Sequence, residues 1–115
     1  MAAKRYSVYV IELSRRAWQE STKLRKANPQ FNPGLQCLYV GMTSKTPEQR
    51  YDQHVTGALS KKGHNISSSL VRKYGMYLRP SLYRHMELMT KAEALAMEEK
   101  LALILRRQRY AVWYN

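Results

Sequence analysis

The sequence predicts an α/β fold of the α+β kind, in which a small central antiparallel sheet of three strands is flanked by helices. Three segments are rich in β-branched and aromatic residues, and segments with helix-capping signals lie between them. The chain has 115 residues, the length of one domain, so residues 1–115 are taken as a single unit. Hydrophobic residues make up 44% of it, which suffices for a core and is too many for a disordered basic tail.

The first two predicted strands are separated by a long basic interval. Residues 6–13 and 36–41 have the β-branched and aromatic character of strands. Residues 14–28 are polar and compatible with a helix, and a loop rich in Pro, Asn and Gly follows them. Residues 14–36 therefore look like an insertion between two strands that would otherwise form a hairpin.

A capping box opens the next predicted helix. Thr46 is a suitable N-cap, Pro47 fits the first turn, and Gln49 completes the box, so we expect a helix that runs to about residue 59. A basic loop and a second helix should follow, the latter between about residue 65 and the helix-ending Gly75.

The third strand and the last helix complete the predicted fold. Residues 81–88 alternate between apolar and polar, which predicts a strand. Thr90 and Glu93 form a second capping box, which opens a helix to about residue 108. The aromatic tail at residues 110–115 is expected to pack back on the domain.

Charge and cysteine content narrow the class of protein. There are 20 Lys and Arg against 8 Asp and Glu, a net charge of +12, which predicts a polyanionic partner such as a nucleic acid. A single cysteine, Cys37, excludes a disulfide framework and a thiolate metal site, and a buried thiol is its expected state. The N-terminus lacks a signal peptide and no apolar run spans a bilayer, so we expect a soluble cytoplasmic protein.

Two short tyrosine motifs lie in the first two predicted strands, Ser7-Val8-Tyr9 and Tyr39-Val40-Gly41. If those strands pair, both rings would point to one face of the sheet. Packing in the core or at its rim is the commoner role of such tyrosines. Gly41 would allow another group to approach the backbone closely.

Three further residues have chemistry that suits a phosphate or a metal. Arg50 and His54 are four residues apart and share one helix face, where they would contact a phosphate or form an ordinary solvated basic face. Glu98 lies along an apolar stripe, where a carboxylate needs a partner such as a hard divalent cation unless it marks the polar edge of the stripe. Periodicity favours Glu98 slightly over its neighbour Glu99.

In this order the motifs resemble the GIY-YIG nuclease superfamily, and the resemblance extends from residue 6 to residue 115. The matching positions are Ser7-Val8-Tyr9, Tyr39-Val40-Gly41, Arg50, His54, Glu98 and Asn115. The sequence departs from the family pattern at three places. Ser7 replaces a Gly, Met42 replaces a Lys, and the 30 positions from Tyr9 to Tyr39 form an unusually long interval.

The resemblance implies an endonuclease that hydrolyses DNA phosphodiester bonds with one divalent cation, Mg²⁺ or Mn²⁺. In that scheme Glu98 holds the metal, Tyr9 is the general base, and Arg50 stabilises the charge of the transition state. Tyr39 and His54 position the water or relay its proton. Gly41 and Asn115 have structural roles. The family acts in DNA repair, restriction and recombination.

The excess positive charge suggests a track for nucleic acid, with a solvated surface as the alternative. Lys45 is a candidate to compensate for Met42. The further candidate DNA-binding residues are Arg15, Arg16, Lys23, Arg25, Lys26, Lys61, Lys62, Arg72 and Lys73.

The expected partner is DNA, including structured or branched DNA, with a protein partner or a homodimer supplying specificity. A non-catalytic nucleic-acid-binding module on the same fold is the alternative, supported by Met42. A third hypothesis is a small interaction protein whose charge keeps it soluble.

Overall fold

Four strands form one sheet in the computed structural model, which describes residues 3–56 and 69–114. The strands are β1 (Ser7–Leu13), β2 (Cys37–Thr43), β3 (Gly75–Leu78) and β4 (Ala111–Tyr114). They lie in the order β3-β1-β2-β4. Strand β1 is antiparallel to β2 and β3, whereas β4 runs parallel to β2. The α+β class is confirmed, but the prediction of three antiparallel strands is wrong because the sheet is mixed and has four.

The prediction of a third strand at residues 81–88 is also wrong. That segment begins inside a short 3-10 helix, Pro80–Leu82, because proline has a fixed φ and no N–H to give to a sheet. The third strand is instead β3, which follows α4 (Ser69–Tyr74) directly. A side chain at Gly75 would place its Cβ 2.5 Å from the Val71 carbonyl oxygen, so a glycine is needed for the chain to leave the helix there.

The aromatic tail packs on the domain as a strand. Val112 pairs with Leu38 and Trp113 with Tyr39, so β4 extends the sheet beyond β2. Parallel pairing needs a long crossover, which the chain between β2 and β4 supplies. The four residues of β4 are too few for their alternation to indicate that the strand pairs with β2.

The helices agree with the capping signals. Both hydrogen bonds of the box at Thr90 are present, and α5 spans Lys91–Arg107. The reciprocal bonds of Thr46 and Gln49 open α3 (Pro47–Thr56). The basic interval forms two helices, α1 (Arg16–Glu20) and α2 (Thr22–Ala27), because Ser21 between them is extended. The predicted basic loop at 61–64 and the expected helix start near residue 65 lie outside the described residues.

Strands β1 and β2 occupy the centre of the sheet and the core. Residues 8–11 and 37–41 are all buried, and Cys37 is a free, buried thiol as expected. Among the helices of residues 3–56 and 69–114, none combines the length and apolar character of a membrane span.

Candidate active site

The two motif tyrosines lie on one face of the central strand pair. Tyr9 is directly opposite Gly41 in the antiparallel register, and Tyr39 is opposite Ile11, so alternation gives these residues the same face. The ring centroids of Tyr9 and Tyr39 are 6.3 Å apart. Each ring is only 1% exposed, so both tyrosines also contribute to the core.

Gly41 makes room for the Tyr9 hydroxyl. A Cβ at this position would lie 2.5 Å from Tyr9 Oη and 2.9 Å from Tyr39 Cε1, closer than carbon atoms approach one another or an oxygen without bonding. The hydroxyl therefore lies directly over the backbone of β2. Any other residue here would displace the phenol.

Helix α3 brings His54 against the two tyrosines. The Tyr9 hydroxyl and Nε2 of His54 share a hydrogen bond of 2.8 Å, and the His54 ring meets Tyr39 edge-on at 5.5 Å between centroids. Burial and the Arg50 charge lower the pKa of His54 to about 4, so its imidazole is neutral at pH 7. In the neutral tautomer that has its proton on Nδ1, Nε2 accepts this bond and the Tyr9 hydroxyl donates it.

The charges around Tyr9 act in opposite directions. Burial raises its pKa well above the ordinary value of 10.0, and Tyr39 and Glu98 raise it further. The Arg50 guanidinium lowers the pKa through its charge and a hydrogen bond to the phenol. Arg50 also donates from Nη1 to Gln53 over 3.0 Å, which holds it on the same face of α3. Tyr9 is therefore a protonated phenol between a neutral imidazole and a guanidinium.

Glu98 is a buried carboxylate with no cationic partner among the described residues. It is 4% exposed, and neither an ion pair nor a hydrogen bond of its side chain is found there. Burial raises its pKa from 4.5 to about 7. Its neighbour Glu99 is exposed. Of the two glutamates, the buried one is therefore Glu98, which the apolar periodicity of the helix favoured.

This environment fits a divalent cation. A buried carboxylate that lacks a partner gains from a hard cation, which binds oxygen ligands. Residues 3–56 and 69–114 contain no group of three or more His, Cys, Asp and Glu that would form a protein cage. A single carboxylate suits Mg²⁺, which usually keeps several waters and takes further oxygens from a phosphate.

A basic depression of about 350 Å³ borders the site through Arg50. We use this name for the surface that Tyr6, Met42, Lys45, Arg50 and Lys91 line together with Thr43, Ser44 and Gln53. Three of these residues are cationic and none is acidic. Sequence reasoning missed Lys91, the first residue of α5, because nothing local places it beside Lys45.

Most basic residues of the interval between β1 and β2 have partners inside the chain. Arg15 donates to the Pro33 carbonyl over 2.8 Å, and Arg25 donates to the carbonyls of Trp18 and Gln19 over 2.7 Å. These contacts hold the interval together. Contact of these arginines with DNA stays a prediction.

The remaining predicted DNA-binding residues are in several environments. Arg16 pairs with Glu20, Lys23 lies 4.9 Å over the Trp113 ring, and Lys73 lies 3.7 Å from Glu20. Lys26, Lys45 and Arg72 are exposed. Lys61, Lys62 and Asn115 lie outside the described residues.

Compared with known protein families, curated proteins and solved structures, the chain has no match. The resemblance to GIY-YIG nucleases therefore rests on the sequence motifs and stays a prediction.

Proposed function

We propose that the protein is a metal-dependent DNA endonuclease of the GIY-YIG type. The observation that carries the proposal is the buried hydrogen bond from Tyr9 to His54, 2.8 Å long, beside Arg50 and within electrostatic range of Glu98. Packing alone does not require two neutral titratable groups, a guanidinium and an unpartnered carboxylate to occupy one region of a core.

Tyr9 and His54 are suited to move a proton as a pair. As a water oxygen bonds to phosphorus, its proton passes to Tyr9 Oη and the proton of Tyr9 passes to His54 Nε2. The neutral state of His54 at pH 7 supports this direction. The bond from phosphorus to the 3′-oxygen breaks, and that oxygen takes a proton from solvent. The products are a 5′-phosphate and a 3′-hydroxyl.

Arg50 contributes charge on the side of the basic depression. Its guanidinium opposes the rise in the Tyr9 pKa and is suited to contact the oxygens of the phosphate as negative charge develops. Lys45 and Lys91 line the same depression and offer the charge that Met42 does not. Tyr39 packs against His54 and keeps its ring oriented.

Glu98 would hold the divalent cation, Mg²⁺ or Mn²⁺, which when bound supplies Lewis-acid stabilisation of charge on the phosphate oxygens. DNA as substrate agrees with the net charge of +12 and with the cytoplasmic location expected from the sequence. A role in repair or recombination, with a protein partner or a homodimer supplying specificity, is part of the proposal.

A non-catalytic nucleic-acid-binding module is the second candidate. Met42 supports it because an apolar side chain lines the depression where a cation would help catalysis. The raised pKa of Tyr9 supports it too, because at pH 7 the phenol keeps its proton and almost no phenolate is present to accept one from water.

Cleavage of a supercoiled plasmid and of a four-way junction in Mg²⁺ distinguishes the endonuclease from the non-catalytic binding module. We compare wild type with Glu98→Gln, and use Glu99→Gln as a control that loses the same charge at an exposed neighbouring position. We expect wild type and Glu99→Gln to cleave and Glu98→Gln to lose at least 100-fold in rate. Binding of all three proteins to DNA in EDTA without any cleavage in Mg²⁺ would instead establish the binding module.

A further inference from the structure

A second cationic depression lies at the end of α5. Arg106, Arg107 and Arg109 line it, together with Gln30 from the loop after α2, and it has a volume of about 320 Å³. We call these three arginines the arginine cluster. None of the residues that line the basic depression contributes to it.

Within residues 3–56 and 69–114, no acidic side chain neutralises the arginine cluster. All eight acidic residues belong to the described part of the chain, and none forms an ion pair with these three arginines. Arg107 and Arg109 are exposed, and neither has a side-chain hydrogen bond within the described residues. Three guanidinium groups around one depression repel each other unless an anion is present.

Hydrogen bonds nevertheless hold two residues that line this depression, Arg106 and Gln30, in place. Arg106 donates from Nε and Nη2 to the Val112 carbonyl oxygen, over 3.3 and 2.9 Å, and lies 5.2 Å over the Tyr114 ring. Gln30 donates to the Tyr110 carbonyl over 3.0 Å. The depression therefore has a fixed wall, which reduces the entropy lost when a ligand binds.

The backbone at Arg109 is strained. Its φ is 79°, and it occupies the position after the helix cap in a Schellman motif, with Tyr110 N–H donating to Leu105 and Arg109 N–H to Arg106. Glycine is usual at this position because a Cβ is disfavoured there. An arginine at this position costs stability relative to glycine. We therefore infer that the Arg109 side chain has a function that offsets the strain.

We propose that the arginine cluster binds the phosphate backbone of a nucleic acid, at a place separate from the candidate active site. Guanidinium groups match phosphate oxygens in geometry and charge. The choice of nucleic acid over a small phosphorylated molecule rests on the proposed function. The cluster adds affinity and orients the strand, and it takes no part in the chemistry.

The test measures binding of a 30-base-pair duplex in EDTA at several KCl concentrations. Arg107→Ala and Arg109→Gly each remove one charge of the cluster, and Arg84→Ala removes one exposed charge elsewhere. Each phosphate contact contributes about 0.9 to the slope of log K against log salt. We expect Arg107→Ala and Arg109→Gly each to reduce the slope by about that amount, and Arg84→Ala to leave it unchanged.

Arg109→Gly also separates binding from folding. Glycine relieves the strain at φ 79°, so we expect this variant to have a Tm equal to or above that of wild type while it binds DNA more weakly. Weaker binding with an undiminished Tm is not a folding defect.

Slopes that are equal in the cluster variants and Arg84→Ala would overturn the proposal, as would a wild type that does not bind the duplex. If only affinity for inorganic pyrophosphate falls in the cluster variants, the ligand is a small phosphorylated molecule and the proposal is overturned. The binding assay contains no divalent metal, so it does not depend on nuclease activity. A protein that binds DNA through the arginine cluster but never cleaves it in Mg²⁺ would refute the proposed nuclease function and leave the proposed binding site intact.

Discussion

Glu98 and His54 are both buried, and burial shifts their pKa values in opposite directions. The pKa of Glu98 is raised from 4.5 to about 7, and that of His54 is lowered from 6.5 to about 4. In each case the neutral form is favoured. Between about pH 4.5 and 6.5, folded Glu98 binds more protons than the unfolded chain, whereas folded His54 binds fewer. In this pH range the two groups therefore change the free energy of unfolding in opposite directions. A variant that lacks one of the groups is needed to measure the effect of the other.

We expect Glu98→Gln to stabilise the metal-free protein. Because folding raises the pKa of Glu98, its carboxylate costs stability as pH rises from about 4.5 to 7, and the full cost remains above that. The rise from 4.5 to about 7 corresponds to about 3 kcal/mol, which is the upper limit of the gain at pH 8. Urea unfolding of wild type and Glu98→Gln at pH 4, 6 and 8 measures it.

The exposed neighbour provides the control for this prediction. Glu99→Gln should unfold like wild type at each pH, and Mg²⁺ should raise the Tm of wild type and Glu99→Gln but not of Glu98→Gln. A Glu98→Gln variant that is less stable than wild type at pH 8, or that keeps the Mg²⁺ effect, would contradict the account of this carboxylate.

At the residue scale, much of the candidate site was accessible from the sequence. The pairing of β1 with β2 places Tyr9 and Tyr39 on one face of the sheet as the motifs suggested, and the i to i+4 spacing brings Arg50 and His54 to one face. The hydrogen bond between Tyr9 and His54 was not accessible, because it depends on how α3 packs on the sheet. Lys91 was missed because nothing local in the sequence places the start of α5 beside Lys45.

The basic interval between β1 and β2, for which DNA contact stays a prediction, also holds the edge strand of the sheet in place. Asn28, at its centre, is fully buried and has its side chain against the edge of β4. Its Nδ2 donates to the carbonyls of Leu24 and Val112, over 2.8 and 3.0 Å, and its Oδ1 accepts from Val112 N–H over 2.8 Å. One carboxamide thus satisfies both backbone groups of an edge-strand residue, which protects that edge from pairing with other chains.

We expect Asn28→Asp to destabilise the protein by about 2–3 kcal/mol at pH 7, because it removes both donors and places a carboxylate beside two carbonyl oxygens. Urea unfolding measures the loss, and faster amide exchange at Val112 locates it. Asn32→Asp is the matched control, since this exposed side chain only accepts from Gly34 N–H and keeps that role. Equal stability of the two variants would show that Asn28 does not anchor β4.

At the element scale, local sequence signals predicted the helix starts correctly, but the sequence did not predict the long-range pairing of the strands. Both capping boxes open helices, because their hydrogen bonds involve residues only three apart. Alternation at residues 81–88 predicted a strand that Pro80 prevents. The parallel pairing of β4 with β2 joins residues more than 70 positions apart, and the short tail contains no pattern that specifies this partner.

Across the whole molecule, the few acidic residues leave most of the positive charge uncompensated. Glu12, Glu20 and Glu93 form the four ion pairs found among residues 3–56 and 69–114, and Glu98 is buried without one. Two depressions are each lined by three cations and by no acidic residue of the described chain, the basic depression beside the candidate active site and the depression of the arginine cluster. This distribution agrees with the proposed nucleic-acid ligand, which carries several phosphates.

The rate of single-turnover DNA cleavage by Tyr9→Phe in Mg²⁺ tests the central claim most directly. Tyr51→Phe, which loses a hydroxyl bonded to the Met76 carbonyl, is the matched control. General acid–base groups contribute about 10²- to 10⁴-fold to rates. We expect Tyr9→Phe to cleave at least 100-fold more slowly than wild type, with Tyr51→Phe close to wild type and DNA binding in EDTA equal in all three. Cleavage by Tyr9→Phe at the wild-type rate would contradict the account.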